Sequence, residues 1–116
     1  MSWWVYLKNK RGKLVEVERF VEGGTYALGG ETEASLNITY NYSSLYRKYL
    51  HQEQGLRYLD GRQGFEVIPV LAQAVKALGV ERSRDYWEVT EGNAGYALSI
   101  LLKWAKKHPS ATFSIS

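Results

Sequence analysis

The chain has 116 residues, which is enough for one compact domain spanning residues 1–116. Hydrophobic residues make up 45% and charged residues 23%, a composition that excludes an intrinsically disordered chain. Fifteen Lys and Arg against 12 Asp and Glu give a net charge of +3. That excess is too small to indicate a nucleic-acid partner by itself, and its sign argues against a DNA-mimicking protein. Because the chain has no cysteine, disulfides, zinc–thiolate sites and a cysteine nucleophile are excluded too.

The sequence predicts neither a membrane segment nor a metal centre. No apolar run approaches the ~18 residues of a membrane span, and the first residues lack the pattern of a signal peptide. We therefore expect a cytoplasmic protein without a membrane partner. The two histidines, His51 and His108, lie among polar residues, so we expect no metal site and no cofactor.

Three strands are predicted in the first 42 residues. Residues 3–8 are rich in aromatic and β-branched side chains, and residues 14–20 alternate between apolar and acidic ones. The turn at residues 9–12 would join them into a hairpin. After a loop with two glycine pairs at residues 22–30, residues 34–42 alternate again and predict the third strand.

Three helices and a last strand follow. The patterns predict a short helix at residues 43–51, a longer one at 66–78, a third at 92–107 and a strand at 111–115. Because proline fits only a first turn, Pro69 requires the second helix to begin at about residue 66 or to be kinked. The order predicts an α+β fold, an antiparallel sheet of about four strands with about three helices packed on one side.

No catalytic signature is present. Walker, Rossmann, nucleophile-elbow, HExxH and EF-hand patterns are absent. The two aspartates, Asp60 and Asp85, stand beside Gly or Arg in connecting segments and are typical of turns. The sequence therefore predicts no catalytic residue and favours a protein without enzymatic activity; a small hydrolase or nuclease acting through the few carboxylates ranks last.

One candidate site lies at the predicted start of the last helix, at Gly92, Asn93, Ala94 and Gly95. Small residues there expose backbone N–H groups to an anion at the positive end of the helix dipole. The alternative is that Asn93 caps the helix and the small residues allow close packing.

A second candidate surface is the uncharged stripe of the third predicted strand, Asn37, Thr39 and Asn41. Such a stripe can read the edges of a base or ribose while nearby tyrosines stack on the ring. The alternative is a solvated strand face whose neighbouring tyrosines belong to the core. The glycines of the loop at residues 22–30 permit close approach to a ligand, or they serve a bulge or a crossover between strands. Arginines can contact phosphate. The predicted ligand-binding residues are Tyr26, Asn37, Thr39, Asn41, Arg57, Trp87, Gly92, Asn93 and Gly95.

The last predicted helix is apolar on nearly every side, since only Gly95 and Ser99 interrupt the apolar run before Lys103. A helix of this kind is buried on more than one side, and a single sheet in so small a domain would not cover it. We therefore expect a homo-oligomer in which this helix contributes to the interface.

Two stretches of the chain resemble a known family. The first runs from residues 22–30 into 36–42, and the second from 92–98 into 102–105. Over most of the chain they resemble a family of small uncharacterised proteins carried by phages and bacteria. The resemblance implies a setting, the host cell cytoplasm if the protein is phage-encoded. Small phage proteins without catalytic motifs often act by binding, as inhibitors of host defence or as sponges for nucleotide signals.

These features together predict a non-catalytic, phage-type binding protein that sequesters a small phosphorylated or nucleotide-like signalling ligand to counter host defence. The polar stripe, the glycine-rich loop and the helix start would form its site. The alternative is a protein–protein interaction module that inhibits a host factor without a small ligand.

Overall fold

The structure combines an antiparallel sheet with α-helices. The computed structural model describes residues 1–17, 32–85 and 88–116, together with the backbone of residues 25–27. In chain order the elements are β1 (Ser2–Lys8), β2 (Thr25–Ala27), β3 (Ser35–Thr39), α1 (Ser43–Tyr49), α2 (Gly64–Leu78), α3 (Glu91–Lys107) and β4 (Thr112–Ile115). The predicted α+β class is confirmed.

β1 is a central strand of the sheet, whose order is β2-β3-β1-β4 with every neighbouring pair antiparallel. The turn after β1 is formed, but residues 14–17 do not form the continuous second strand that the sequence predicts. That segment makes isolated bridges to Lys8 and Glu33 instead. The Val15 N–H donates to the Leu7 carbonyl oxygen at 3.1 Å, so this segment pairs with β1 only at the end of that strand. The reason is that β3 occupies the same edge of β1 from Ser2 to Tyr6. The rest of the predicted strand, residues 18–20, lies outside the described residues.

The two faces of the sheet have different environments. Along β1, Trp3 and Val5 are buried, whereas the alternating Trp4 and Tyr6 are half-buried. The buried side chains meet the helices, since the ring of Trp3 lies 6.0 Å from the ring of Tyr46 in α1. We call this side of the sheet the core face and the opposite side the outer face.

α3 runs through the core of the single chain. Its exposed side chains are the four charged residues Glu91, Lys103, Lys106 and Lys107. The apolar remainder packs on the core face of the sheet and along α2, where a Cβ at Gly64 would meet the backbone of Ala105. The apolar surface of α3 is therefore covered within one chain, so it gives no reason for a second copy to bind there.

The two ends of α2 are set by local features of the chain. α2 begins two residues before the predicted start, with Gln63 and Glu66 forming a capping box, so Pro69 lies inside the helix. It ends at Gly79, as the sequence predicts, where φ is +79°. Among the described helices, none is long and apolar enough to span a lipid bilayer.

Candidate functional site

Asn93, a predicted ligand-binding residue, is fully buried and holds the loop that precedes α3. Its Oδ1 accepts a hydrogen bond from the Ser83 backbone N–H at 2.9 Å. Its Nδ2 donates to the carbonyl oxygens of Asp85 and Glu88 at 3.1 and 2.9 Å, and to the Ser83 hydroxyl at 3.0 Å. The hydrogen-bonding groups of this amide are therefore engaged by the chain itself.

The alternative that Asn93 caps α3 is wrong. Thr90 is the N-cap, and its hydroxyl accepts a hydrogen bond from the Asn93 backbone N–H at 3.0 Å. Thr90 stands three residues before that N–H, which is the spacing a capping side chain requires. Because the helix begins at Glu91, Asn93 is placed within the first turn and its side chain is available to the loop.

Gly92 and Gly95 allow the chain to pack closely against the start of α3. A Cβ at Gly92 would overlap the carbonyl oxygen of Glu81, and a Cβ at Gly95 would overlap that of Gly79. The first turn of the helix is thus covered by the segment that follows α2. This is the close packing that the sequence offered as the alternative to an anion site.

The predicted polar stripe is shorter than expected because β3 ends at Thr39. Asn37 is buried on the outer face, where its Nδ2 donates to the Ser2 hydroxyl at 2.7 Å and to the Trp3 carbonyl at 3.2 Å. The Thr39 hydroxyl caps the following 3₁₀ turn by accepting from the Asn41 N–H at 3.2 Å. Asn41 therefore leaves the strand, and Asn37 and Thr39 have structural hydrogen bonds.

The structure places the stripe and the helix start on opposite sides of the sheet. Asn37 pairs with Trp4 across the β1–β3 ladder and so shares its outer face. On the core face, the hydroxyl of Tyr46 donates to the carbonyl oxygen of Ala94 at 3.0 Å, which fixes the first turn of α3 there. The two predicted parts are thus not brought together.

The remaining predicted site residues are Tyr26, Arg57 and Trp87. The backbone of Tyr26 pairs with Asn37 at the β2–β3 ladder. Arg57 is exposed on a 3₁₀ turn, beside a small depression of about 120 Å³ that Arg47 also lines. Trp87 and most of the loop at residues 22–30 lie outside the described residues.

A basic groove lies elsewhere, between the turn after β1 and the C-terminal end of α3. It has a volume of about 460 Å³. Four of its lining side chains are basic, and none of the described lining residues is acidic. The lining residues are Asn9, Lys10, Arg11, Val15, Lys107, His108, Pro109, Ser110 and Ala111.

Local hydrogen bonds hold both walls of the basic groove. On one wall, Asn9 Oδ1 accepts from the backbone N–H groups of Arg11 and Lys13, and Gly12 adopts φ of +77° to close the turn. On the other wall, His108 ends α3, and its Nε2 lies 2.8 Å from the carbonyl oxygen of Glu16. That contact joins the helix end to the segment after the turn.

Chemically, the basic groove can bind an anion. Lys10, Arg11 and Lys107 are exposed cations, and a guanidinium beside ammonium groups suits phosphate oxygens. Sequence reasoning missed this groove because the two basic clusters are almost 100 residues apart. The lysines near residue 107 also have an ordinary explanation, since cations stabilise the C-terminal end of a helix.

Within the described ranges, no group of three or more His, Asp or Glu side chains is placed to hold a metal ion. Comparisons with protein-family models, with curated proteins and with solved structures find no match to this chain.

Proposed function

We propose that the protein is a non-catalytic binding protein that takes a small phosphorylated ligand in the basic groove. The observation that carries the proposal is the convergence of Lys10 and Arg11 with Lys107 and His108 around one groove. Its volume of about 460 Å³ falls in the roughly 300–1,000 Å³ range of small-molecule sites.

The charge and the rigidity of the groove support this function. Burial of Val15 and Ala111 gives the groove an apolar floor, and the hydrogen-bonded turn fixes the backbone that carries Lys10 and Arg11 before a ligand arrives. In the phage setting that the sequence resemblance implies, such a protein would sequester a phosphorylated signal of the host. The predicted stripe and helix start are not needed for this proposal.

The test is binding of a phosphorylated panel by calorimetry: inorganic phosphate, pyrophosphate, mononucleotides and cyclic dinucleotides. Lys10→Glu/Arg11→Glu should raise the Kd of the ligand that binds wild type by well over tenfold, because like charges would face its phosphate. Lys48→Glu, an exposed charge reversal on α1, is the control and should leave that Kd unchanged.

Salt provides a second readout, since raising the ionic strength should weaken binding to the groove. A flat response of wild type across the panel would reject the proposal and favour a protein partner. Equal Kd values for wild type and the Lys10→Glu/Arg11→Glu variant would place the ligand elsewhere.

A further inference from the structure

α2 presents an outer face that the described part of the chain does not cover. One row of its side chains packs inward, at Val67, Leu71, Ala74 and Leu78. The opposite face is exposed and consists of Phe65, Glu66, Pro69, Ala72, Gln73, Lys76 and Ala77. Phe65 is 56% exposed, although a phenylalanine of a monomeric protein is usually covered. We call these seven residues the α2 outer face.

The α2 outer face is complementary to a second copy of itself. Two α2 helices can pack antiparallel about a two-fold axis at the level of residue 71. Each residue of one copy then lies opposite the residue of the second copy that is the same number of positions from 71 in the other direction. Glu66 then faces Lys76 of the second copy, and Phe65 faces Ala77. Symmetry repeats both contacts, so opposite charges meet twice and a large ring meets a small side chain twice.

Two further details agree with this register. Helical side chains lean toward the N-terminus of their helix, so the Phe65 ring reaches past Ala77 toward the level of Val80 of the second copy. Val80 is itself 47% exposed. The carboxylate of Glu66 is also held in place, because its Oε1 accepts a hydrogen bond from the Gln63 backbone N–H at 3.0 Å.

From this charge complementarity we infer that the α2 outer face is a homodimer interface, with the two helices antiparallel and Glu66 paired with Lys76 of the second copy. The inference is independent of the proposed ligand. α2 has 15 residues and so is about 22 Å long. A single helix pair buries an area at the low end of specific interfaces, so the dimer dissociates on dilution.

Sedimentation velocity over micromolar concentrations tests the interface. Wild type should show a concentration-dependent monomer–dimer equilibrium. Lys76→Glu should raise the dimer Kd by about tenfold, because one change turns two attractive pairs into two repulsive ones. The double variant Glu66→Lys/Lys76→Glu restores opposite charges and should return the Kd toward the wild-type value.

Lys48→Glu is the matched control because it makes the same change in net charge at an exposed residue of α1, which is not part of the α2 outer face. Phe65→Ser removes the ring without changing charge and should weaken the dimer in the same way, and circular dichroism checks that each variant is folded. Wild type that stays monomeric at high micromolar concentration overturns the inference. So does a dimer that Lys76→Glu and Phe65→Ser leave intact, because another surface would then form it.

Discussion

Tyr42 and Tyr46 rank among the largest fully buried side chains of the described residues, and both belong to the core rather than to a stacking surface. Their rings meet edge to face with centroids 5.9 Å apart. Burial raises the pKa of Tyr42 from 10.0 to about 12, with a smaller contribution from the carboxylate of Asp85. Burial likewise raises the pKa of Tyr46 well above its ordinary value. The core therefore keeps both phenols neutral.

This protonation state predicts an alkaline loss of stability. A phenol whose pKa is raised by folding stays neutral in the folded chain, while the unfolded chain releases its proton first. The free energy of unfolding should therefore fall as the pH rises from about 10 to about 12. Urea titrations across this range should show a smaller fall for Tyr42→Phe, which has no proton to lose. Parallel pH profiles of wild type and variant would contradict the assignment.

At the scale of elements, the long helix that keeps a large exposed apolar side chain is α2 and not α3. α3 looks like an interface helix because it is apolar on nearly every side, yet it is covered by its own chain. α2 has a regular buried row and leaves Phe65 exposed. Close approach of the segment after α2 covers the start of α3, and this approach depends on Gly92 and Gly95.

Gly95→Ala tests the close approach. Alanine is the better helix former by about 1 kcal/mol, so propensity alone would raise stability. We expect the opposite, a lower melting temperature, because the new Cβ overlaps the carbonyl oxygen of Gly79. Gly95→Glu adds a larger side chain and should lower the melting temperature further, although glutamate is favourable near the start of a helix.

The matched control is Gly12→Asn, because a Cβ at Gly12 meets no atom within 4 Å and asparagine tolerates the positive φ. It should change the melting temperature little. A melting temperature of Gly95→Ala equal to or above that of wild type would show that the segment does not pack on α3 as described.

At the scale of the whole molecule, one hydrophobic core joins the core face of the sheet to the helices. Trp104 of α3 is 3% exposed and lies in that core with Phe113 and Leu7. Replacing Trp104 therefore measures how much the packing of α3 contributes to the free energy of unfolding.

Trp104→Ala should lower the free energy of unfolding by roughly 3–5 kcal/mol, because deleting a buried aromatic ring leaves a cavity that the surroundings fill only in part. Urea unfolding at fixed protein concentration gives the value. A midpoint that barely moves would mean that Trp104 lies on an exposed face.

The sequence by itself determined the features that depend on neighbours along the chain. The 3.6-residue period of residues 64–78, Gly79 at its end and the turn closed by Gly12 are local, so the helix and turn were predicted near their observed places. The alternation of Leu36 and Ile38 with Asn37 correctly divides β3 between its two faces. The order of strands and helices likewise indicates the α+β class.

Only the tertiary structure decided which surfaces are covered and which charges meet. From the sequence, Asn93 is a candidate helix cap or anion contact. Only the fold brings Ser83 and Glu88 within hydrogen-bond distance of its side-chain amide. Lys10 and Lys107 form one groove because the C-terminal β4 pairs beside β1. Such contacts join residues far apart in the chain, and local periodicity carries no information about them, since the same pattern fits a helix whether protein, solvent or a second copy covers it.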